Sequence, residues 1–272
     1  MNLRSLELIY FSPTKTTKRV LEGIAQGMDA DAVEHIDLSP PETATRAFEE
    51  MHDQRLALIG APVYDGRLPL VAVHRLQRLK GSETPAVIVV VYGNRAYEDA
   101  LLELRDLVAG AGFIPVAGGA FIGEHSFASA DKPVALGRPD AEDLANAGQF
   151  GSLIQSRLTA IKALDELPPL RVPGNFPFKE GKPPAGVPPV TREGLCSRCG
   201  TCATVCPTGV VTVGDTVTVE PAGCILCCAC IKNCPTGARV GNALIEQFAE
   251  RLSAKCRERK QPELYLAADK AP

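Results

Sequence analysis

Eight cysteines in the last third of the chain form two copies of one pattern. Each copy reads Cys-x2-Cys-x2-Cys-x3-Cys-Pro, over 196–207 and again over 224–235. Thiolates at this spacing ligate [4Fe–4S] cubanes, and the fourth cysteine of each copy ligates the cluster of the other copy. This exchange gives set I, which is Cys196, Cys199, Cys202 and Cys234, and set II, which is Cys224, Cys227, Cys230 and Cys206. The pattern therefore predicts two clusters that lie close enough together to exchange electrons.

Zinc and disulfide bonds are the alternatives for so many cysteines. Structural zinc usually takes two Cys-x2-Cys pairs with a longer spacer, without a fourth cysteine followed by proline. Disulfides belong to oxidising compartments, and nothing in the sequence indicates secretion. Iron–sulfur ligation therefore fits better. Of the two remaining cysteines, Cys228 is interpreted as a packed small residue, and Cys256 receives no role.

The segment between the two copies predicts a hairpin. Valine and threonine alternate over 210–219 on either side of Gly214-Asp215, which suggests a two-residue turn. Each copy ends in Cys-Pro-Thr-Gly, so the copies form an internal repeat. We expect a small α+β domain of the bacterial 2[4Fe–4S] ferredoxin type over 191–240, followed by a C-terminal helix and tail over 241–272.

Composition limits the classes of protein to which the chain can belong. Its 272 residues suffice for two domains, and it has a formal net charge of −3 with 22% charged residues. It lacks the basic bias of a protein that binds nucleic acid. No apolar run approaches the ~20 residues of a membrane span, and the N-terminus lacks the pattern of a signal peptide. We expect a cytoplasmic protein without membrane insertion, and oxygen-sensitive clusters favour an anaerobic setting.

Prolines mark the boundary between the two expected domains. Eight prolines fall between Pro168 and Pro189, a composition typical of an extended, semi-rigid connection. We therefore assign residues 1–165 to a first, self-contained domain and residues 166–190 to a linker. Phe176 and Phe178 suggest that the linker lies against one of the domains.

The first domain alternates strand and helix patterns. Short apolar runs predict strands at 6–11, 33–37, 56–61, 86–91 and 113–121. Helices are expected between and after them at about 15–28, 69–80, 97–110 and 141–164, with a weaker one near 42–52. Buried strands that alternate with helices predict a parallel sheet covered on both faces. The expected fold is α/β, a flavodoxin-like, doubly wound sheet of five strands in the order 2-1-3-4-5.

Loops at the carboxyl ends of these strands carry candidate cofactor-binding residues. The loop before the first helix has hydroxyls and N–H groups suited to a phosphate. The loops after the third and fourth strands offer tyrosines as faces for a flat ring, since the chain has no tryptophan. The candidates are Ser12, Thr14, Lys15, Thr16, Thr17, Pro62, Val63, Tyr64, Gly66, Gly93, Asn94, Arg95, Tyr97 and, after the fifth strand, His125.

Each of these loops also has an ordinary structural explanation. Ser or Thr before a helix is usually a cap, glycine-containing loops are usually turns, and exposed tyrosines are common. His125 is more often a hydrogen-bonded loop residue than a catalyst; the functional alternative places it near the flavin or at the domain interface. Three such loops beside a two-cluster domain favour FMN as the cofactor.

These segments resemble the EFR1-type ferredoxin family, in which a flavodoxin-like domain is fused to a C-terminal 2[4Fe–4S] domain. The resemblance covers nearly the whole chain and rests on 10–18, 62–69, 91–97, 122–126 and the cysteine repeat. It implies FMN, clusters and electron transfer, and it leaves the partner open. Lys15 stands where the flavodoxin phosphate loop usually has glycine, so a positive φ there would strain the loop.

The features together predict an electron-transfer iron–sulfur flavoprotein. It would pass electrons between two [4Fe–4S] clusters, FMN and redox protein partners, namely a low-potential donor or an acceptor reductase. The alternative is an FMN-dependent reductase of a small molecule such as a quinone, a flavin or a corrinoid-like cofactor. The chain has no GxGxxG fingerprint, so direct oxidation of NAD(P)H is not favoured. An electron carrier is favoured over an enzyme. No sequence feature specifically supports a redox-sensing role. The sequence leaves open whether the chain forms a homodimer.

Overall fold

A six-stranded sheet forms the centre of the computed structural model, which describes residues 5–52, 55–181 and 186–267. The strands are β1 (Ser5–Tyr10), β2 (Ala32–Asp37), β3 (Glu50–His52), β4 (Arg55–Pro62), β5 (Lys80–Ser82), β6 (Thr84–Tyr92), β7 (Phe113–Ile122), β8 (Val190–Thr191), β9 (Val211–Val213), β10 (Val217–Val219), β11 (Arg239–Val240) and β12 (Glu263–Leu266). The helices are α1 (Thr16–Gln26), α2 (Leu70–Leu76), α3 (Ala100–Gly110), α4 (Ala141–Ala160), α5 (Thr201–Thr204), α6 (Ala229–Lys232) and α7 (Ala243–Lys255). In the described ranges, none of these helices is both long and apolar enough to cross a membrane.

The main sheet has the order β12-β7-β6-β4-β1-β2. Five of its strands run parallel, and without β12 their order is that of a flavodoxin-like sheet. The expected count of five strands is corrected to six, because residues assigned to the tail form β12, which pairs antiparallel with β7. The sixth strand covers an edge of β7 that would otherwise expose unpaired backbone groups.

Two hydrophobic cores, one on each face of the sheet, explain why the parallel strands have continuous apolar sequences. β6 is buried along its whole length, as a central strand covered on both faces requires. Helices α1 and α4 cover one face of the sheet, in a core that includes Phe121 and Phe150. Helices α2 and α3 cover the other face, in a core that includes Leu76 and Leu101. Asp140 is the N-cap of α4 and forms a capping box with Asp143, so the helix begins at the next residue, Ala141.

Residues 42–52 do not form the weak helix that the sequence analysis expected. A 3-10 turn covers Pro41–Ala44, and β3 then pairs in parallel with β5 as a small separate sheet. Met51 is buried in the main core, and its carbonyl accepts a hydrogen bond from the Thr84 hydroxyl at 2.6 Å. Burial of one side chain and pairing of its backbone thus favour an extended segment here.

The proline-rich segment packs along the α3 side of the first part of the chain. Leu170 is buried in the core, and the Asp99 carboxylate accepts the backbone N–H groups of Asn175 at 2.9 Å and Lys179 at 2.8 Å. The Arg67 guanidinium lies 4.9 Å from the ring centre of Phe178. Residues 182–185 of the expected linker and 268–272 of the expected tail lie outside the described residues.

The cysteine-rich part shows the repeat in its backbone. Left-handed residues recur at equivalent positions of the two copies, as Arg198 and Leu226 and again as Gly200 and Cys228. Strands β9 and β10 form the hairpin between the copies. Its connection has three residues, 214–216, because Val213 pairs with Val217, so the expected two-residue turn is wrong.

Candidate cofactor sites

The four cysteines of set I line one cavity. Its other walls include Val213, Val217 and Arg239. The fourth thiol, that of Cys234, comes from the second copy, as the exchange of ligands requires. The Arg239 N–H donates to Cys234 Sγ at 3.4 Å, and the Thr201 hydroxyl lies 3.2 Å from Cys199 Sγ. A ring of thiols with hydrogen-bond donors at the sulfur atoms is the donor set that an iron–sulfur cluster needs.

Set II lies deeper in the molecule. Burial raises the pKa of the Cys227 thiol, and the nearby thiols of Cys230, Cys206 and Cys224 raise it further. Cys206 of the first copy therefore lies with the three cysteines of the second. All ten cysteines of the chain are free thiols. Within the described ranges, no three His, Cys, Asp or Glu side chains are grouped to hold a single metal ion.

Cys228 is explained by the repeat. It begins α6 with a φ of 58°, at the position where Gly200 begins α5 with a φ of 80°. Its side chain is 1% exposed, and its thiol contacts the Leu226 carbonyl. The residue is thus a packed small side chain at a helix start, separate from the two cysteine sets.

The loop of residues 12–17, here called the phosphate loop, turns directly into α1. Lys15 has a φ of 65°, the left-handed conformation for which glycine is usual, at a cost of about 1–2 kcal/mol for another residue. The Ser12 hydroxyl accepts the Lys18 N–H at 3.1 Å, so it holds the loop. The hydroxyls of Thr14 and Thr16 lie 3.5 Å apart and are half-buried. In the described part of the chain this leaves the N–H groups of Thr16 and Thr17 in the first turn of α1 to bind an anion.

Two buried polar atoms at these loops have no partner in the described part of the chain. They are Thr17 Oγ1, in the phosphate loop, and Asn94 Oδ1, in the loop after β6. Buried polar groups are nearly always hydrogen-bonded, so each such atom indicates a missing partner. Both belong to the predicted flavin-binding loops.

The loop after β4 forms a tight turn over 64–67. Asp65 and Gly66 both have positive φ, and the Tyr64 N–H donates to the Arg67 carbonyl at 2.9 Å. A Cβ at Gly66 would lie 2.2 Å from Glu98 Oε2, so Gly66 serves the turn and its packing. Before the turn, Pro62 ends β4, and the Val63 N–H donates to the Val91 carbonyl at 2.9 Å.

Tyr64 joins this turn to the cysteine-rich part. Burial raises the pKa of its phenol, and the thiols of Cys227, Cys228 and Cys224 raise it further. The ring of Tyr64 is therefore a neighbour of set II. Ile225, between two ligands of that set, packs against the core of the sheet. Set II thus faces the carboxyl ends of the parallel strands.

The loop of residues 93–97 holds the tail segment, residues 256–267, which the sequence analysis did not place there. Asn94 Nδ2 donates to the carbonyls of Cys256 at 2.9 Å and Glu258 at 2.8 Å. The Lys260 ammonium donates to the carbonyl of the exposed Arg95 at 2.5 Å. The side-chain amide of Asn94 and the carbonyl of Arg95 therefore hold this segment, and Asn94 Oδ1 has no partner among the described residues.

The role expected for Tyr97 is corrected. Its ring is 8% exposed, packs 5.4 Å from that of Tyr92 and belongs to the hydrophobic core. Its hydroxyl donates to Glu263 at 2.7 Å and lies 2.9 Å from the Tyr265 hydroxyl, both in β12. Tyr97 therefore anchors the sixth strand, whereas Tyr64 lies in the turn after β4.

His125 lies at the junction of the two parts. Its ring fits against Gly93, where a Cβ would lie 2.3 Å from the ring, and its Nδ1 accepts the Phe127 N–H at 3.1 Å. Burial, together with the nearby cations Lys232 and Arg95, lowers the pKa of His125 to about 4. The imidazole is thus neutral near pH 7, with its proton on Nε2.

Two buried or half-buried cations connect the parts directly. Arg75 is 2% exposed and donates to the carbonyls of Leu38 and Pro207, the residue after Cys206, each at 2.5 Å. Lys232 donates to Glu124 at 2.5 Å and to the Ala128 carbonyl at 2.6 Å. These contacts fix the orientation of the cysteine-rich part, and no sequence pattern predicts either of them.

An open groove elsewhere is a weaker candidate for a cofactor site. It lies at the amino-terminal ends of β6 and β7, between Phe113, Arg105, Lys162 and Leu170. Ligands of open α/β sheets bind at the carboxyl ends of the strands. The loops described above lie at that end, so they are the stronger candidate site.

Comparison with known families identifies the cysteine-rich part. Residues 189–212 match the model of the 4Fe–4S binding domain. The chain therefore contains a domain of the iron–sulfur class, joined to a flavodoxin-like α/β sheet. No curated protein matches the chain.

Several solved flavodoxins resemble the first part of the chain. One is a short-chain flavodoxin associated with a non-canonical PDU bacterial microcompartment, with 14% identity, a TM-score of 0.40 and coverage of 58% of this chain and 99% of that one. Oxidised flavodoxin 1 from Bacillus cereus has 18% identity, a TM-score of 0.38 and coverage of 58% and 99%. The flavodoxin of Fusobacterium nucleatum bound to flavin mononucleotide has 17% identity and a TM-score of 0.36, with coverage of 57% of this chain and 97% of that one. At such TM-scores we infer no cofactor from them, and the fold class rests on the sheet order itself.

Proposed function

We propose that the chain is an electron-transfer iron–sulfur flavoprotein that holds two [4Fe–4S] clusters and FMN. The observation that carries the proposal is the position of set II. Ile225, between Cys224 and Cys227, packs against the core of the sheet, and Arg75 joins the Leu38 carbonyl, directly after β2, to the Pro207 carbonyl, directly after Cys206, so set II lies at the carboxyl ends of the parallel strands. In a flavodoxin-like sheet this is the end at which FMN binds. A cluster held by set II would therefore lie next to the flavin of the same chain.

The phosphate loop supplies the groups that would hold the FMN phosphate. Thr14 and Thr16 offer hydroxyls, and Lys15 offers an ammonium that the usual glycine lacks. The unpaired Thr17 Oγ1 and Asn94 Oδ1 offer buried polar atoms to the bound cofactor. The positive φ of Lys15 supports this assignment, because the loop keeps the shape for which glycine is usual despite its cost.

The order of the cofactors follows from exposure. Cys199 of set I is exposed, whereas Cys227 and Cys230 of set II are buried. Electrons would pass between a redox protein partner and set I, then set II, and then FMN. A cluster carries one electron at a time and a flavin carries one or two, so two one-electron donors, with protons from water, reduce one FMN. A low-potential donor or an acceptor reductase fits such a route.

The composition of the purified protein tests this proposal. Protein isolated anaerobically should contain about eight iron, about eight sulfide and one FMN per chain, because the proposal assigns it two four-iron cubanes and one flavin site. Metal analysis and the absorption spectrum after release of the flavin give these numbers. Stoichiometric zinc in place of iron would overturn the cluster assignment.

A matched pair of ligands checks the flavin site. The double variant Thr14→Ala, Thr16→Ala should weaken the binding of FMN more than that of riboflavin, because the hydroxyls are assigned to the phosphate. Thr159→Ala is the control, since in the described part of the chain that hydroxyl bonds within α4, to the Gln155 carbonyl. Equal weakening for both flavins would place the phosphate elsewhere.

A further inference from the structure

Arg239 is a buried cation with an incomplete set of partners. Its side chain is 3% exposed. The guanidinium donates to the Thr191 hydroxyl at 2.7 Å, to the Pro189 carbonyl at 2.9 Å and to Cys230 Sγ at 3.7 Å. Each of these partners is neutral or a thiol, and Nε has no partner in the described part of the chain.

The position of Arg239 relates it to both sets of cysteines. It lines the cavity of set I, and its backbone N–H donates to Cys234 Sγ of that set. Its guanidinium contacts Cys230 of set II. The short pairing of β11 with β8, in which Arg239 faces Thr191, fixes the backbone at this point. One side chain therefore lies between the two proposed clusters.

A buried guanidinium needs an anion. Arginine keeps its charge in proteins, and a buried charge without a counter-ion is strongly disfavoured. A four-iron cluster with four thiolates carries net negative charge and accepts N–H donors at its sulfur atoms. Two such groups on either side of Arg239 would supply the missing counter-charge, and both would be affected by its field.

We propose that Arg239 is a buried counter-cation shared by the two clusters and that its charge raises the reduction potentials of both. The inference rests on the proposed pair of clusters. Reduction adds a negative charge to a cluster, so a cation nearby favours the reduced form. The effect is large only where water is excluded, which distinguishes Arg239 from the exposed Arg192 of the same domain.

Redox titration of the full-length, iron-loaded protein tests this role. In Arg239→Met, the midpoint potentials of both clusters, followed by EPR, should shift to more negative values. Arg239→Lys keeps the charge and should shift them less. Arg192→Met, the control, removes an exposed charge that is screened by solvent, and it should leave both potentials unchanged.

Every outcome decides for or against the proposal. Unchanged potentials in an Arg239→Met protein with full iron content would overturn it, and so would a shift of one cluster alone. If Arg239→Met and Arg239→Gln lose iron while Arg239→Lys keeps it, the positive charge is needed for assembly and the proposal stands. Loss of iron from all three variants would make Arg239 a hydrogen-bonding support for Pro189 and Thr191 and would refute it. Absence of iron from the unmodified protein would instead contradict the proposed function.

Discussion

Replacing Cys206 by Ala should stop electron transfer from the cysteine-rich part to FMN. Cys206 comes from the first copy but lies with set II, the set beside Tyr64. Its loss should remove the flavin-side cluster and leave about four of eight iron atoms per chain. The cluster of set I would remain reducible, but it would have no intermediate on the route to the flavin. Iron analysis, EPR and flavin absorbance during reduction measure these three effects.

Cys234→Ala is the matched variant, because both cysteines precede Pro-Thr-Gly in the repeat. It should also lose about four iron atoms, but from set I. The remaining cluster beside the flavin should still exchange electrons with FMN. The reverse pattern, with transfer lost only in Cys234→Ala, would mean that the ligands are not exchanged between the copies.

A chain that ends at Cys256 should be less stable and should bind FMN more weakly. The truncation removes β12 and Ala267, which is 2% exposed in the main core, together with the partly buried Tyr265 and Leu266. It also removes the Glu258 carbonyl that holds Asn94. Burial of such side chains contributes on the order of 3 kcal/mol, so the unfolding temperature should fall by several degrees.

Thermal unfolding followed by the release of flavin fluorescence measures this effect. The control is Arg257→Ala in the full chain, because among the described residues that side chain donates to the Ser253 carbonyl of α7 and not to the sheet. An unchanged unfolding temperature in the truncated chain would show that the sixth strand does not support the sheet.

The parts of the fold that the sequence predicts are those set by local pattern. The continuous apolar runs around Leu56 and Val87 indicate buried parallel strands, and the observed strands begin and end within two residues of those expected. The tail strand could not be predicted. Glu263–Leu266 is too short to indicate a strand alone, and its partner β7 lies far away in sequence. The expectation that residues 1–165 are self-contained therefore omitted part of the sheet.

The candidate site likewise has features that local pattern predicts and features that depend on contacts between distant residues. Spacing alone indicates which cysteines share a set, because the loop geometry of the repeat requires it. Which set faces the flavin depends on contacts between the parts, such as Arg75 with Pro207, and no local pattern encodes such contacts. Tyr97 was misinterpreted because a tyrosine after a glycine-containing turn looks exposed until its distant partners are known. Arg239 directly follows the Cys-Pro-Thr-Gly-Ala run, but its burial depends on the pairing of β11 with β8, which lies far away in the sequence.

The central claim is that electrons pass between the clusters and FMN inside one chain. The most direct test is the rate of flavin reduction after rapid reduction of the clusters in intact protein, measured over a wide range of protein concentrations. Because set II lies beside the flavin loops of its own chain, the rate constant should be independent of concentration, as intramolecular transfer requires. A rate that rises in proportion to concentration, or no transfer from reduced clusters to bound FMN, would contradict the account.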